Sequence, residues 1–132
     1  MSDIRPISTA DSPVPAGHYS QAVVHAGTVY VAGILPVDPR DPQAPLGDIQ
    51  QQTARVLTSL SNILQASGSG LEQLLQVTVF VTDLDSWGVV NEVFAEYLGS
   101  HRPARAVVPV LPLKRGAGIE ITAIAGLRSE GG

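Results

Sequence analysis

Apolar residues along the chain change their spacing several times, and each change marks an element. The opening segment through Gly17 is rich in Pro, Ser and Asp and reads as extended, with a short strand near residues 4–8. Between Tyr19 and Ala32 the pattern predicts two strands, Ala22-Val23-Val24 and Thr28-Val29-Tyr30-Val31-Ala32, joined through His25-Ala26-Gly27. Residues 36–45 carry four prolines and form a loop. Asp48 then supplies an N-cap, and Ile49, Thr53, Val56, Leu57, Leu60, Ile63 and Leu64 recur at helical spacing until Ser67-Gly68-Ser69-Gly70 stops them. Residues 77–82 are β-branched or aromatic throughout and predict a strand buried on both faces. Asp83 and Asp85 offer caps to a second helix, whose apolar face is Trp87, Val90, Phe94, Tyr97 and Leu98 and whose stop is Gly99. Residues 105–110 read as a strand that Pro109 assigns to an edge or a bulge, and residues 119–125 as the last strand. Residues 129–132 read as a loose tail.

Strands, helix, strand, helix, strands in that order give one α/β domain spanning residues 1–132, with an open sheet and both helices on one face. The other face then needs cover. Hydrophobic residues make up 44% and charged ones 15%, apolar for so small a domain, so a neighbouring subunit is the economical cover and self-association is expected.

Composition removes several function classes. A formal charge of −4, with basic residues only in the short groups His101, Arg102, Arg105 and Lys114, Arg115, disfavours general nucleic-acid binding. The absence of cysteine excludes disulfides, thiolate metal sites and thiol nucleophiles. No secretory signal opens the chain and no apolar run nears the ~20 residues that cross a bilayer, so a cytoplasmic protein without a membrane partner is expected. His18, His25 and His101 are isolated and read as structural or surface residues, which leaves no metal site. No G-x-S-x-G, G-x-G-x-x-G or Walker pattern occurs, so no cofactor is expected.

What remains is a charged pair. Arg105 begins an apolar strand, where a guanidinium is costly to bury without an anion and where its planar donors match a carboxylate. Strand alternation sets Glu120 on one face with Thr122 and Ile124, and Ile119 and Ile121 on the other. A carboxyl in apolar surroundings holds its proton more tightly, which suits proton transfer near neutral pH. The competing reading, of equal weight on spacing alone, is an ordinary salt bridge or two solvated side chains.

The ordered segments Gly17-His18-Tyr19-Ser20-Gln21, Val31-Ala32-Gly33-Ile34-Leu35-Pro36, Val77-Thr78-Val79-Phe80-Val81-Thr82-Asp83-Leu84, Val90-Asn91-Glu92-Val93-Phe94, Arg102-Pro103-Ala104-Arg105 and Ile119-Glu120-Ile121-Thr122-Ala123-Ile124-Ala125 resemble the RidA (YjgF/YER057c/UK114) family over about residues 13–127. The resemblance implies a chorismate-mutase-like α/β fold and a homotrimer with active sites in clefts between subunits. It implies hydrolysis of 2-aminoacrylate-type enamines and their 2-imino acid tautomers to 2-keto acids and ammonia, without a cofactor. It assigns Arg105 to the substrate carboxylate, Glu120 to the attacking water, Tyr19 to the pocket wall and Gly33 to close backbone approach. Three positions depart from the family pattern: Val107 stands where Cys is frequent, leaving only backbone groups to bind there, while Ile34 and His18 replace Gln and Pro. Ile34 and Val107 are thereby expected beside the substrate. Without the resemblance Tyr19 is a packed ring with a surface hydroxyl and Gly33 a bulge. Two other functions stay open: a non-catalytic small-ligand module on the same clefts and, ranked last because of the acidic charge, a ribonuclease or translation inhibitor. The enzymatic reading needs the Arg105 guanidinium at a contact between chains, neither loose in water nor locked on a protein acid.

Overall fold

The structure, a computed structural model, describes residues 3–129, so the loose tail expected at the C-terminus falls, past Ser129, outside the described residues. Eight elements follow the predicted order: β1 (Arg5–Ile7), β2 (Ala22–His25), β3 (Thr28–Ile34), α1 (Ile49–Ser67), β4 (Leu74–Val81), α2 (Trp87–Leu98), β5 (Ala104–Pro109) and β6 (Ile119–Gly126). Short 3-10 turns at Leu71–Gln73, Leu84–Ser86 and Lys114–Gly116 were not legible in the apolar pattern.

Helix α1 starts where its chemistry says it should. The Asp48 carboxylate accepts from the Gln51 amide at 2.9 Å, and the Gln51 side chain accepts from the Asp48 amide at 2.9 Å, a reciprocal cap that satisfies two otherwise orphaned donors. At the far end Gly68 adopts φ 89°, a left-handed conformation open to glycine, and its amide closes on the Leu64 and Gln65 carbonyls. Every residue of the predicted stripe from Thr53 to Leu64 is buried, and Ile49 packs at its margin. The second helix departs from expectation. Asp83 accepts from Asp85 and so caps the preceding 3-10 turn, while α2 follows Ser86 without a side-chain cap. Val93 joins Val90 and Phe94 in the core, whereas Tyr97 stays exposed and uses its hydroxyl on Thr58 Oγ1 of α1, 3.1 Å away.

The sheet runs β1-β2-β3-β6-β4-β5. All neighbours are antiparallel except β4 and β5, which are parallel because α2 carries the chain back over the sheet. The turn between β2 and β3 is tighter than the sequence implied. His25 pairs with Thr28, leaving Ala26 (φ 51°) and Gly27 (φ 80°) as a two-residue connection with both dihedrals positive, the turn whose twist suits a hairpin.

Both helices cover one face of the sheet, packing on Val29, Val31, Val77, Val79, Val81, Ile119 and Ile121. The other face stays open in the single chain. Strand β4 therefore corrects the expectation of burial on both sides: Val77, Val79 and Val81 are fully buried, while Thr78 and Phe80 are half-buried and Leu75 and Gln76 exposed. β5 lies at the sheet edge, where Pro109, lacking an N–H, is tolerated.

Candidate functional site

Strand β3 bulges where the site begins. Val31 pairs with Ala123 but Ile34 with Ile121, so β3 spends one extra residue, at Ala32-Gly33, against β6. Gly33 lies under the side chain of Glu120: a Cβ on Gly33 would sit 2.5 Å from Glu120 Oε2 and 3.2 Å from its Cδ. Both readings of Gly33 therefore hold, since it is a bulge residue and its bare backbone makes room for the carboxylate. Glu120 pairs with Phe80 on β4 and faces the open side of the sheet, as alternation requires.

A cavity of about 900 Å³ extends from this point. Tyr19, Gly33, Lys114, Arg115 and Glu120 border it. The wall bearing Tyr19 is built by Gln21, which no catalytic motif in the sequence marks. Gln21 is buried at the start of β2, and its amide nitrogen donates to the Thr9, Ser12 and Pro13 carbonyls while its oxygen accepts from the Thr9 amide. Those bonds tie residues 9–13 to the start of β2, just past Tyr19, which lines the cavity that Glu120 also borders. A buried amide opening an apolar strand was the available signal. The Tyr19 hydroxyl accepts from the Ala16 amide at 3.3 Å, and its ring is half exposed.

Arg105 stands elsewhere. It pairs with Val77 and Val107 with Val79, and because both partners are buried beneath the helices, Arg105 and Val107 point to the helix side of the sheet. The Arg105 Cζ lies 4.4 Å from the Trp87 ring centroid and 5.3 Å from that of Phe94, and Nη2 donates to Asn91 Oδ1 at 3.0 Å. Losing water against these rings pushes the guanidinium below its ordinary pKa, although the residue as a whole remains exposed on the edge strand. No acid pairs with it among the described residues, where the three ion pairs are Arg40–Asp11, Arg55–Asp38 and Arg128–Glu72.

Within one chain, then, the candidate residues fall into two groups on opposite faces of the sheet. Tyr19, Gly33 and Glu120 share the cavity; Arg105 and Val107 do not border it. The expected burial of Arg105 in an apolar strand is not met, because β5 is an edge and its flank is open. The alternative of an Arg105–Glu120 salt bridge fails for the same geometric reason. Ile34 borders the cavity next to Gly33, although only 4% of it is exposed and it packs in the core where β3 pairs with Ile121. Val107 packs against the core from its edge. His18 and His25 are exposed and His101 bonds the Leu74 carbonyl through Nε2 at 2.8 Å, in keeping with surface and structural roles. Among the described residues no helix is long and apolar enough to cross a membrane.

The chain is similar to several known proteins in sequence and in fold. A RutC family protein of Pyrococcus horikoshii is 41% identical over 119 residues, which cover 90% of this chain and 94% of its own. The 2-iminobutanoate/2-iminopropanoate deaminase of Capra hircus is 38% identical over 121 residues, 92% of this chain and 88% of that enzyme. Among solved structures, that of E. coli TdcF with bound serine superposes with a TM-score of 0.88 at 33% identity, covering 95% of this chain and 99% of that one. A family model described as Endoribonuclease L-PSP matches residues 9–127. With fold, ordered motifs and family model agreeing over nearly its whole length, the chain belongs to the RidA (YjgF) family.

Proposed function

We propose that this protein hydrolyses 2-imino acids and their 2-aminoacrylate-type enamine tautomers to 2-keto acids and ammonia, at sites built between copies of the chain. The observation that carries the reading is Arg105: a guanidinium held by rings and a neutral amide, with no acid on it. Such a group is a ready partner for the carboxylate of a small acid. The names of the relatives point the same way, one to imine deamination and one to a bound amino acid.

Because Arg105 and Glu120 face opposite sides of one sheet, a single chain cannot bring both to one small substrate. A second copy laid against the open face would place its β5 edge beside the neighbour's cavity, with Arg105 of one copy facing Glu120 of the other. A homotrimer closes such head-to-tail contacts into a ring. This arrangement also covers the apolar open face, which includes exposed Tyr30 and Val108.

The chemistry then needs little. Arg105 fixes the carboxylate, converting encounter into orientation. The Glu120 carboxylate takes a proton from a water as the water oxygen bonds to the imine carbon, and the imine nitrogen gains a proton, giving a carbinolamine. The C–N bond then breaks, ammonia leaves with the electron pair and a second proton, and loss of the hydroxyl proton yields the ketone. Tyr19, whose hydroxyl oxygen accepts from Ala16, keeps its own proton available to the pocket.

The test generates 2-iminobutanoate in a coupled assay and compares native protein with Arg105→Ala and Glu120→Ala. Loss of a charge-assisted pair is expected to lower kcat/KM about 10- to 150-fold in the first, and loss of general base action about 100-fold or more in the second. Native rates in Arg105→Ala would end the anchor assignment. A melting shift with small keto acids but no turnover would leave the binding-module reading. The family model's description keeps a ribonuclease reading in view; RNA cleavage that persists in Arg105→Ala after rigorous nuclease removal would favour it.

A further inference from the structure

Helix α2 turns one face toward β5, and three of its residues on that face meet Arg105. Trp87, Asn91 and Phe94 stand at i, i+4 and i+7, the spacing that lines up side chains along a helix. Phe94 is buried in the core. Trp87 and Asn91 are different. The Trp87 ring lies 4.4 Å under the guanidinium carbon while packing against the core at its margin, so the platform is anchored. Asn91 offers its carbonyl oxygen to Nη2 at 3.0 Å. The guanidinium carries five N–H donors in a rigid plane, and this is its one hydrogen bond to the chain among the described residues.

We propose that Trp87 and Asn91 are positioning residues for Arg105: the indole fixes the plane of the guanidinium and the neutral amide fixes one edge, leaving the remaining edge presented to a substrate carboxylate. This rests on Arg105 as the acid anchor. The neutrality of Asn91 is the distinctive element. An aspartate of the same shape would hold the arm more firmly, but its charge would occupy the fork that the substrate needs. An amide orients without neutralising. The indole acts similarly, attracting the cation through its ring while making no hydrogen bond to its edges.

Trp87 is the only tryptophan in the chain, so its emission reports directly on the group above it. The experiment titrates the assembled protein with pyruvate, following Trp87 fluorescence and, for every variant, calorimetric Kd, with thermal melting to verify folding. Native protein is expected to show a saturable emission change that Arg105→Ala lacks. Trp87→Ala is expected to weaken pyruvate binding about 5- to 30-fold, the range a partly desolvated cation–ring contact represents. Trp87→Phe keeps a ring and is expected to stay within about 3-fold of native. Asn91→Ala is expected to weaken binding about 5-fold or more. Asn91→Asp is expected to weaken it further still, while melting at or above the Asn91→Ala temperature. A merely structural role for residue 91 would reverse that order.

In turnover with a 2-imino acid, the same variants should raise KM more than they lower kcat. Where Trp87→Ala fails to fold, the comparison of Trp87→Phe and the two Asn91 variants decides the matter. Loss of pyruvate binding in Arg105→Ala, with Trp87→Ala and both Asn91 variants within twofold of native, would overturn the positioning role and leave the anchor standing. So would Asn91→Asp binding as tightly as native. Native affinity in Arg105→Ala would remove the anchor and the positioning role together.

Discussion

Gly33 and Glu120 act as one unit, because the space over the glycine is the space the carboxylate occupies. In Gly33→Ala the new methyl has to displace Glu120, whose flexible side chain can swing into the cavity at little cost to the fold. The backbone preference of alanine in a strand, worth about 0.5–1 kcal/mol over glycine, offsets part of any crowding. The expected outcome is a melting temperature within a few degrees of native and a kcat/KM lowered about 100-fold, as a shift of roughly 1 Å in a reacting group brings. Melting curves and steady-state rates on the same preparation check it; unchanged turnover would show that the position of Glu120 does not matter. At this scale the sequence was informative about identity and poor about orientation. Arg105 and Glu120 were legible as charges in apolar strands, and Tyr19 and Gly33 through the ordered family segments. What alternation along single strands left out is that β5 pairs in parallel with β4 at the edge, which sends Arg105 to the helix side. Trp87 was legible only as core, since nothing in its spacing says that a guanidinium lies over its ring.

At the level of elements, the parts governed by local rules were the parts the chain disclosed. Helix α1 combined a stripe, a cap and a glycine stop in one window, and all three appear. The expected cost of Asp48→Ala is about 1 kcal/mol, or a melting temperature lower by about 3–6 °C for a domain of this size, with kcat/KM preserved because Asp48 does not border the cavity. The start of β4 was missed by three residues, since Leu74-Leu75-Gln76 does not alternate until its bulge against β6 is known. The same junction carries an acid-sensitive tie. Glu72, in the 3-10 turn before β4, accepts from Arg128 Nε at 2.7 Å just beyond β6. A hydrogen bond from its own backbone amide, and then the Arg128 side chain, hold its carboxyl below the ordinary 4.5. A lowered folded-state pKa means the contribution is complete above about pH 4.5 and fades as pH falls through the folded value. Because both side chains are half exposed, the effect is small. Glu72→Gln should melt slightly below native at pH 7 and converge with it in acid; a constant gap across that range would mean the pair does not titrate with folding.

For the whole molecule, the decisive question is whether the proposed site, which needs both Arg105 and Glu120, draws them from one chain or from two. The helix-covered face carries Arg105, and the open face carries Glu120 beside Tyr19 and Gly33. No rotamer of either side chain crosses a sheet whose core is filled by Val77, Val79, Ile119 and Ile121. Two variants each expected to be strongly impaired, Arg105→Ala and Glu120→Ala, therefore test the assembly directly when unfolded together and refolded as a mixture. If each site takes Arg105 from one copy and Glu120 from the next, random mixing in equal amounts leaves about a quarter of the contacts with both groups native, and about a quarter of native activity returns. If both groups act from one chain, every site in the mixture lacks one of them and activity stays at the average of the two single variants. Size measurement on the mixture separates failure to complement from failure to assemble, since a mixture that runs as monomers says the copies never met. A fully assembled mixture that stays at that average would refute the shared site while leaving the family fold untouched, because the sheet and its helices close their core within a single chain.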